Sequence, residues 1–189
     1  MESSKFKNTI IKHFLERDDD YLFLIDSDIL MNPNTLTQLV STKKDIVSEI
    51  FWTKWTPDSI ALPQVWYEDL YTQIKLAPHE SLAHLSAEEV TRRHCAFLAE
   101  MNTPGVYEVG GLGACTLINR KVLEVGVNFS KIPNVSFWGE DRHFCIRANV
   151  LGFSLHVDTH LPAYHIYRSS DMAGALQFLK DTELNEGIK

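Results

Sequence analysis

The sequence predicts an α/β fold, a mixed and mainly parallel sheet flanked by helices. Three observations carry that expectation. The apolar run Tyr21-Leu22-Phe23-Leu24-Ile25 passes without interruption into Asp26-Ser27-Asp28, the pattern of a strand buried on both faces. Strand-like and helix-like segments alternate along most of the chain, which favours parallel pairing through crossover helices. The 189 residues are 44% hydrophobic and 23% charged, enough apolar material for one domain with a real core.

In chain order, residues 5–17 read as a helix, with Phe6, Ile10 and Phe14 beside Ile11 and Leu15 as its apolar stripe. The opening strand follows. Asn32 and Pro33 suit the cap and first position of a second helix, whose inner face would be Leu36, Leu39 and Val40. Residues 46–52 are a second strand. The aromatic segment after it, with Trp52, Trp55, Trp66, Tyr67 and Tyr71, fits either a packed flap or a substrate-binding loop. Ser86 and Glu89 form a capping box for a helix over 86–101. Strands are expected at 106–109 and 112–118, interrupted by Gly110 and Gly111, and a short helix at 119–125. These glycines allow a close backbone approach to another strand or to a sugar. Glu140 and Asp141 open a helix over about 141–151, with Phe144, Cys145, Ala148 and Leu151 inward and Gly152 ending it. A last strand covers 153–158, and 160–168 is a polar, aromatic exit. Two units result: a globular domain over 1–170 and a carboxyl-terminal helix or tail over 171–189.

Composition narrows the function classes. Eighteen Lys and Arg against 25 Asp and Glu give a formal net charge of −7, which argues against a nucleic-acid-binding face. Three cysteines without a CxxC pair speak against a disulfide framework or structural zinc. No apolar run approaches membrane-spanning length, and the amino terminus is too polar for a signal peptide, so the expected location is cytoplasmic.

The chemistry-bearing residues fall into clusters. Asp26 and Asp28 close the first strand, at the end where open α/β sheets place ligands. In extended backbone both point one way and invite a hard divalent cation completed by diphosphate oxygens. Glu140 and Asp141 serve either as helix caps or as a general base for an attacking hydroxyl. His165 is either a structural hydrogen-bonder or a further metal ligand. His156, Asp158 and His160 alternate on one strand face and read as a surface feature or support for other groups.

Taken together, residues 21–28, 109–119, 137–147 and 152–165 resemble the nucleotide-sugar-dependent glycosyltransferases of the GT-A fold, and look most like the large inverting family-2 group. Asp26-Ser27-Asp28 matches its D-x-D motif, Gly110-Gly111 its glycine-containing strand, Glu140-Asp141 with Cys145-Ile146-Arg147 its acidic helix start, and His165 its exit-strand histidine. The resemblance implies transfer of a sugar from a UDP- or GDP-linked donor to an acceptor hydroxyl, with Mn2+ or Mg2+ as cofactor. Asp28 would hold the metal, Asp26 the ribose or sugar and part of the metal shell, and His165 a further metal position. Asp141 would be the base and Glu140 would orient the acceptor. Gly110 and Gly111 would lie at the donor, and Trp52, Trp55, Trp66 and Trp138 would contact sugar.

One departure is prominent. In that family three strand–helix units precede the D-x-D strand, whereas about one helix precedes Tyr21 here. This is a partial GT-A (Rossmann-like) pattern. It implies an open edge along strand 21–26, to be covered by self-association or a second chain. Two competing readings follow: a catalytically incomplete sugar- or partner-binding module, and a haloacid-dehalogenase-type phosphohydrolase. The second fits less well, because Ile29 and Leu30 follow Asp28 where that motif continues with Gly and Thr.

Overall fold

The protein is represented by a computed structural model that describes residues 2–68 and 71–186. The elements are α1 (Glu2–Leu15), β1 (Tyr21–Leu24), β2 (Ile29–Leu30), α2 (Thr35–Ser41), β3 (Ile46–Thr53), β4 (Leu62–Pro63), β5 (Val65–Trp66), α3 (Ala87–Met101), β6 (Val106–Val109), β7 (Gly111–Leu112), β8 (Thr116–Asn119), α4 (Arg120–Glu124), α5 (Glu140–Val150), β9 (Leu155–His165) and α6 (Met172–Glu186). The main sheet runs β1-β8-β3-β9-β2, with β4 added to β3 and β6 to β9, while β5 and β7 form a separate ribbon.

The fold is a mixed α/β sheet with flanking helices, as expected, but the balance of pairings differs. Among the described residues only β3 and β9 pair in parallel. The other pairings are antiparallel, because β8 inserts between β1 and β3 and runs against both. β1, β3 and β9 consequently point the same way, and their carboxyl ends meet on one side of the sheet.

β1 pairs with β8 alone among the described residues, so the expected open edge is present. It also explains why β1 is half-buried rather than buried on both faces. An edge strand keeps one flank in solvent. The strand in the buried centre is β3, whose residues are almost all enclosed.

α1 lies over the β1 side and contributes Ile11 and Phe14 to the main core. Its inward stripe is Lys7, Ile11 and Phe14, whereas Phe6 is 69% exposed and lies outside it. Arg120 of α4 fixes the far end of this helix. Its guanidinium donates to the carbonyls of Phe14 and Arg17, and to that of Asp19 at 2.8 Å. A cation there satisfies carbonyls that the helix leaves unpaired.

Several local expectations shift by a few residues. α2 begins at Thr35, two residues later than the Asn32-Pro33 signal, because Asn32 Oδ1 accepts from the Asn34 amide and makes a turn first. Leu39 of α2 is buried, while Leu36 and Val40 are exposed. Ser86 caps α3 by accepting from the Glu89 amide, as the capping box requires. The strand expected over 112–118 breaks at Gly113 to Cys115, where Cys115 has a φ of 65°. β7 can then leave the main sheet to pair with β5. On α5, Phe144, Cys145 and Ala148 face inward but Leu151 is exposed.

β9, at 11 residues, is longer than the expected strand and absorbs much of the polar exit, because Ala163 pairs with Phe51 of β3 and Tyr164 and His165 pair with β2. α6 packs on β9 through Ala175 and Phe178, with the Phe178 and Tyr164 rings 5.8 Å apart. The tail beyond Glu186 lies outside the described residues. No helix among the described residues is long and apolar enough to cross a membrane.

Candidate active site

The carboxyl ends of β1, β3 and β9 deliver Asp26 to Asp28, Thr53 and His165 to the same side of the sheet. The segment after β1 is not extended. The Ile29 amide donates to the Asp26 carbonyl at 3.1 Å, closing a turn. Asp26 and Asp28 therefore part company, which corrects the expectation that they converge. Asp26 lines a small recess with Lys7, Asp141 and Gly113. Asp28 turns to β9, where its Oδ2 lies 3.3 Å from Nε2 of His165.

His165 is held from its other nitrogen. Nδ1 is 2.8 Å from the Thr53 hydroxyl, and the ring packs edge-on against Phe51. The side chain of Asp28 is 48% exposed and that of His165 12%. No group of three or more His, Cys, Asp or Glu among the described residues converges on one metal position. The Asp28–His165 pair is thus what tertiary structure assembles from the expected triad, and Asp26 stands apart from it.

The acidic pair is set by a glycine. Gly139 has a φ of 124°, a conformation that side chains resist, and the next residue starts α5. The turn brings Glu140 and Asp141 into the first helical turn. A residue from the start of the chain completes the cluster. Lys7 Nζ lies 2.8 Å from Oδ1 of Asp141 and 3.1 Å from Oε1 of Glu140. Ser3 donates to the same Glu140 oxygen at 2.5 Å.

Burial is the largest influence on all three groups. It raises the Asp141 pKa, and Lys7 offsets this only in part. Glu140 is also desolvated, but its bonds from Ser3, its own amide and Lys7 outweigh that, leaving its pKa below the ordinary value. Burial opposes the charge on Lys7, yet Asp141, Asp26 and Glu140 together hold its pKa above the usual lysine range.

Asp141 also borders a cavity of about 460 Å³ walled by Trp55, Trp66, Tyr71 and Trp138. Tyr71, with a φ of 60°, packs its ring at a 59° tilt against Trp66 with centroids 4.4 Å apart, and donates to the Trp138 carbonyl at 2.6 Å. It ties the aromatic segment to the loop before α5. Burial pushes its hydroxyl pKa up to about 12. Three of the four expected tryptophans gather here. Trp52 does not, and lines a second recess of about 370 Å³ with Lys54, His165 and Tyr167. The two recesses are linked by aromatic contacts, Tyr167 lying 5.6 Å from His165 and 5.3 Å from Trp55.

Gly110 and Gly111 receive a strand, not a ligand. A Cβ at Gly111 would lie 2.0 Å from the Trp66 ring, and one at Gly110 1.7 Å from the Tyr67 carbonyl oxygen. Their smallness serves the β5–β7 ribbon, where Trp66 opposes Gly111. Gly113, in contrast, lines both the aromatic cavity and the recess of Asp26 and Lys7.

Sequence reasoning pointed to Tyr71 within the aromatic segment but missed Lys7 and Thr53. The signal for Lys7 was present: it occupies the same helical stripe as Ile11 and Phe14, at spacings of four and three residues. A lysine on a buried stripe asks for a carboxylate partner. Thr53 had no comparable local signal.

Scans against protein-family profiles and against curated proteins return no match. Among solved structures, the crystal structure of A197 from STIV is similar, with a TM-score of 0.52 over 88% of this chain and 68% of its own, at 19% identity. At that identity the likeness extends to the fold alone.

Proposed function

We propose that the chain is a metal-dependent, inverting glycosyltransferase of the GT-A type, acting in the cytoplasm, that moves a sugar from a nucleoside-diphosphate donor to an acceptor hydroxyl. The observation that carries the reading is the Asp28–His165 pair, backed by Thr53, whose recess is joined through Tyr167 and Trp55 to the aromatic cavity bordered by Asp141.

The residues present fit a divalent cation. Two ligands about 2.1 Å from one octahedral ion at right angles lie about 3 Å apart, close to the observed Asp28–His165 spacing. With Nδ1 donating to Thr53, His165 presents the Nε2 lone pair toward Asp28, the arrangement that commonly supports histidine ligands. One or two protein ligands, with donor phosphate oxygens and water in the remaining positions, is an ordinary shell for Mg2+ and a reasonable one for Mn2+. When bound, such an ion neutralises the charge that builds on the departing nucleoside diphosphate.

The chain's own residues supply the rest. Asp141 accepts the proton of the acceptor hydroxyl as its oxygen attacks the anomeric carbon from the side opposite the leaving group, which inverts that centre. Trp55, Trp66 and Trp138 offer apolar faces to the acceptor and thin the water around the attacking oxygen. Glu140, tied to Ser3 and Lys7, limits the rotation of the first turn that carries Asp141.

Calorimetry of the full chain with Mn2+ and UDP or GDP tests this reading, followed by a transfer assay against a panel of donor sugars. Metal-dependent nucleotide binding, with transfer lost in Asp141→Asn while donor binding stays, is the expected result. Saccharide binding without any nucleotide binding would overturn it in favour of a sugar-binding module.

A further inference from the structure

We propose that Lys7, on α1, is a positioning residue for Asp141: its ammonium fixes one carboxylate oxygen and leaves the other to face an acceptor hydroxyl. The inference rests on the transferase reading of the site and deepens it by making the first helix part of the catalytic end of the molecule.

The geometry is specific. Lys7 is only 8% exposed and sits on the inward stripe of α1, above Ile11 and Phe14. Its Nζ reaches Asp141 at 2.8 Å and Glu140 at 3.1 Å, and it lies over the Phe129 ring at 5.1 Å from the centroid. Lys7 donates to Oδ1 of Asp141. The Asp141 side chain keeps 29% of its surface exposed, so the carboxylate is reachable from the aromatic cavity it borders.

α1 cannot slide. Arg120 holds its last carbonyls, Asn8 Oδ1 accepts from the Phe129 amide at 2.9 Å, Asn8 Nδ2 donates to Ser130 at 2.9 Å, and Ile11 and Phe14 are buried in the core. The ammonium is therefore delivered to a fixed point. An unpaired lysine in that stripe would carry a large desolvation cost, which pairing with carboxylates relieves.

Charge gives the contact its consequence. The titratable groups facing Asp141 are Lys7 from α1, Asp26 from the turn after β1, Glu140 and Cys145 from its own helix, and Tyr71 from the aromatic segment. Lys7 is the cation among them. Without it Asp141 faces the charges of Glu140 and Asp26 uncompensated by Lys7, and like charges at short range favour keeping a proton. Lys7 therefore favours the charged form of Asp141, the form a general base needs.

The test uses the full-length chain labelled with 13C at aspartate carboxyls, the Asp141 resonance being assigned through Asp141→Asn. Lys7→Met should raise the Asp141 titration midpoint by about one pH unit or more, and Lys7→Arg should restore most of it. In the transfer assay Lys7→Met should lower kcat at pH 7 by about tenfold or more, with donor KM unchanged and the loss shrinking at higher pH. Lys7→Gln carries the same comparison if Lys7→Met does not fold. An Asp141 midpoint equal in wild type and Lys7→Met, or an Arg variant as impaired as Met, overturns the proposal. A shifted midpoint in a protein that transfers from no donor would overturn the transferase reading and leave the role of Lys7 in fixing Asp141 standing.

Discussion

Nε2 of His165 lies 3.3 Å from Oδ2 of Asp28, although 137 residues separate them. Strand register makes the contact, since β2 pairs with β9 so that Ile29 stands opposite His165, and the Ile166 amide donates to the Asp28 carbonyl at 2.8 Å. The same turn that sends Asp28 toward β9 sends Asp26 toward Lys7.

That separation makes metal binding asymmetric across the D-x-D sequence. Asp28→Ala and His165→Ala should each weaken Mn2+ affinity in the presence of UDP or GDP by about tenfold or more, and Thr53→Val by a smaller factor through loss of the bond to Nδ1. Asp26→Ala should change it by about threefold or less. Electron paramagnetic resonance of free Mn2+ measures all four variants. Equal losses at Asp26 and Asp28 would contradict the geometry.

Glu49 offers a second measurement, of stability against pH. It stands opposite Asp158 in the parallel β3–β9 pairing, and both side chains are fully enclosed. Burial, then the Asp158 charge, pushes its pKa up to about 9, with the amides of Leu161 and Ile50 offsetting only part. Between about pH 4.5 and 9 the folded chain keeps a proton that the unfolded chain has released, so this group's contribution to stability falls as pH rises through that window. The slope is up to about 1.4 kcal/mol per pH unit. Glu49→Gln removes the titrating group and should be more stable than wild type at pH 8 by about 2 kcal/mol, with the difference closing toward pH 5. Urea unfolding at a series of pH values reads this out, and parallel stability curves for the two proteins would refute it.

The glycines before β8 differ in what they tolerate. Gly111→Ala drives a Cβ to 2.0 Å from the buried Trp66 ring. It should cost about 3 kcal/mol and disturb the near-ultraviolet circular dichroism of the tryptophans. Gly113→Ala meets Phe51 at 3.8 Å, an ordinary contact, and should fall within about 0.5 kcal/mol of wild type. Equal costs would mean that the β5–β7 ribbon can part without loss.

Read locally, the chain announces most of its elements. The capping box at Ser86 and Glu89, the acidic start of α5 and the apolar run of β1 are signals within a few residues, and the physics of helix ends and pleated strands is itself local. Misplacements occurred where side chains compete with backbone, as at Asn32, or where a strand pairs with something distant, as in the second half of β9. The candidate site is less legible. Asp28, His165 and Asp141 are visible as residue types, but their grouping depends on register and on turns.

Local pattern accounts for the order of the main strands and helices, for the acids that close β1 and for those that open α5. These follow from periodicity and capping chemistry, which act between near neighbours. Only the tertiary structure decided that Asp26 and Asp28 point to different partners, that Gly110 and Gly111 receive a strand, and that a lysine from the first helix meets Asp141. Each depends on groups far apart in sequence, and nothing in a local pattern encodes the register or the turn that brings them together.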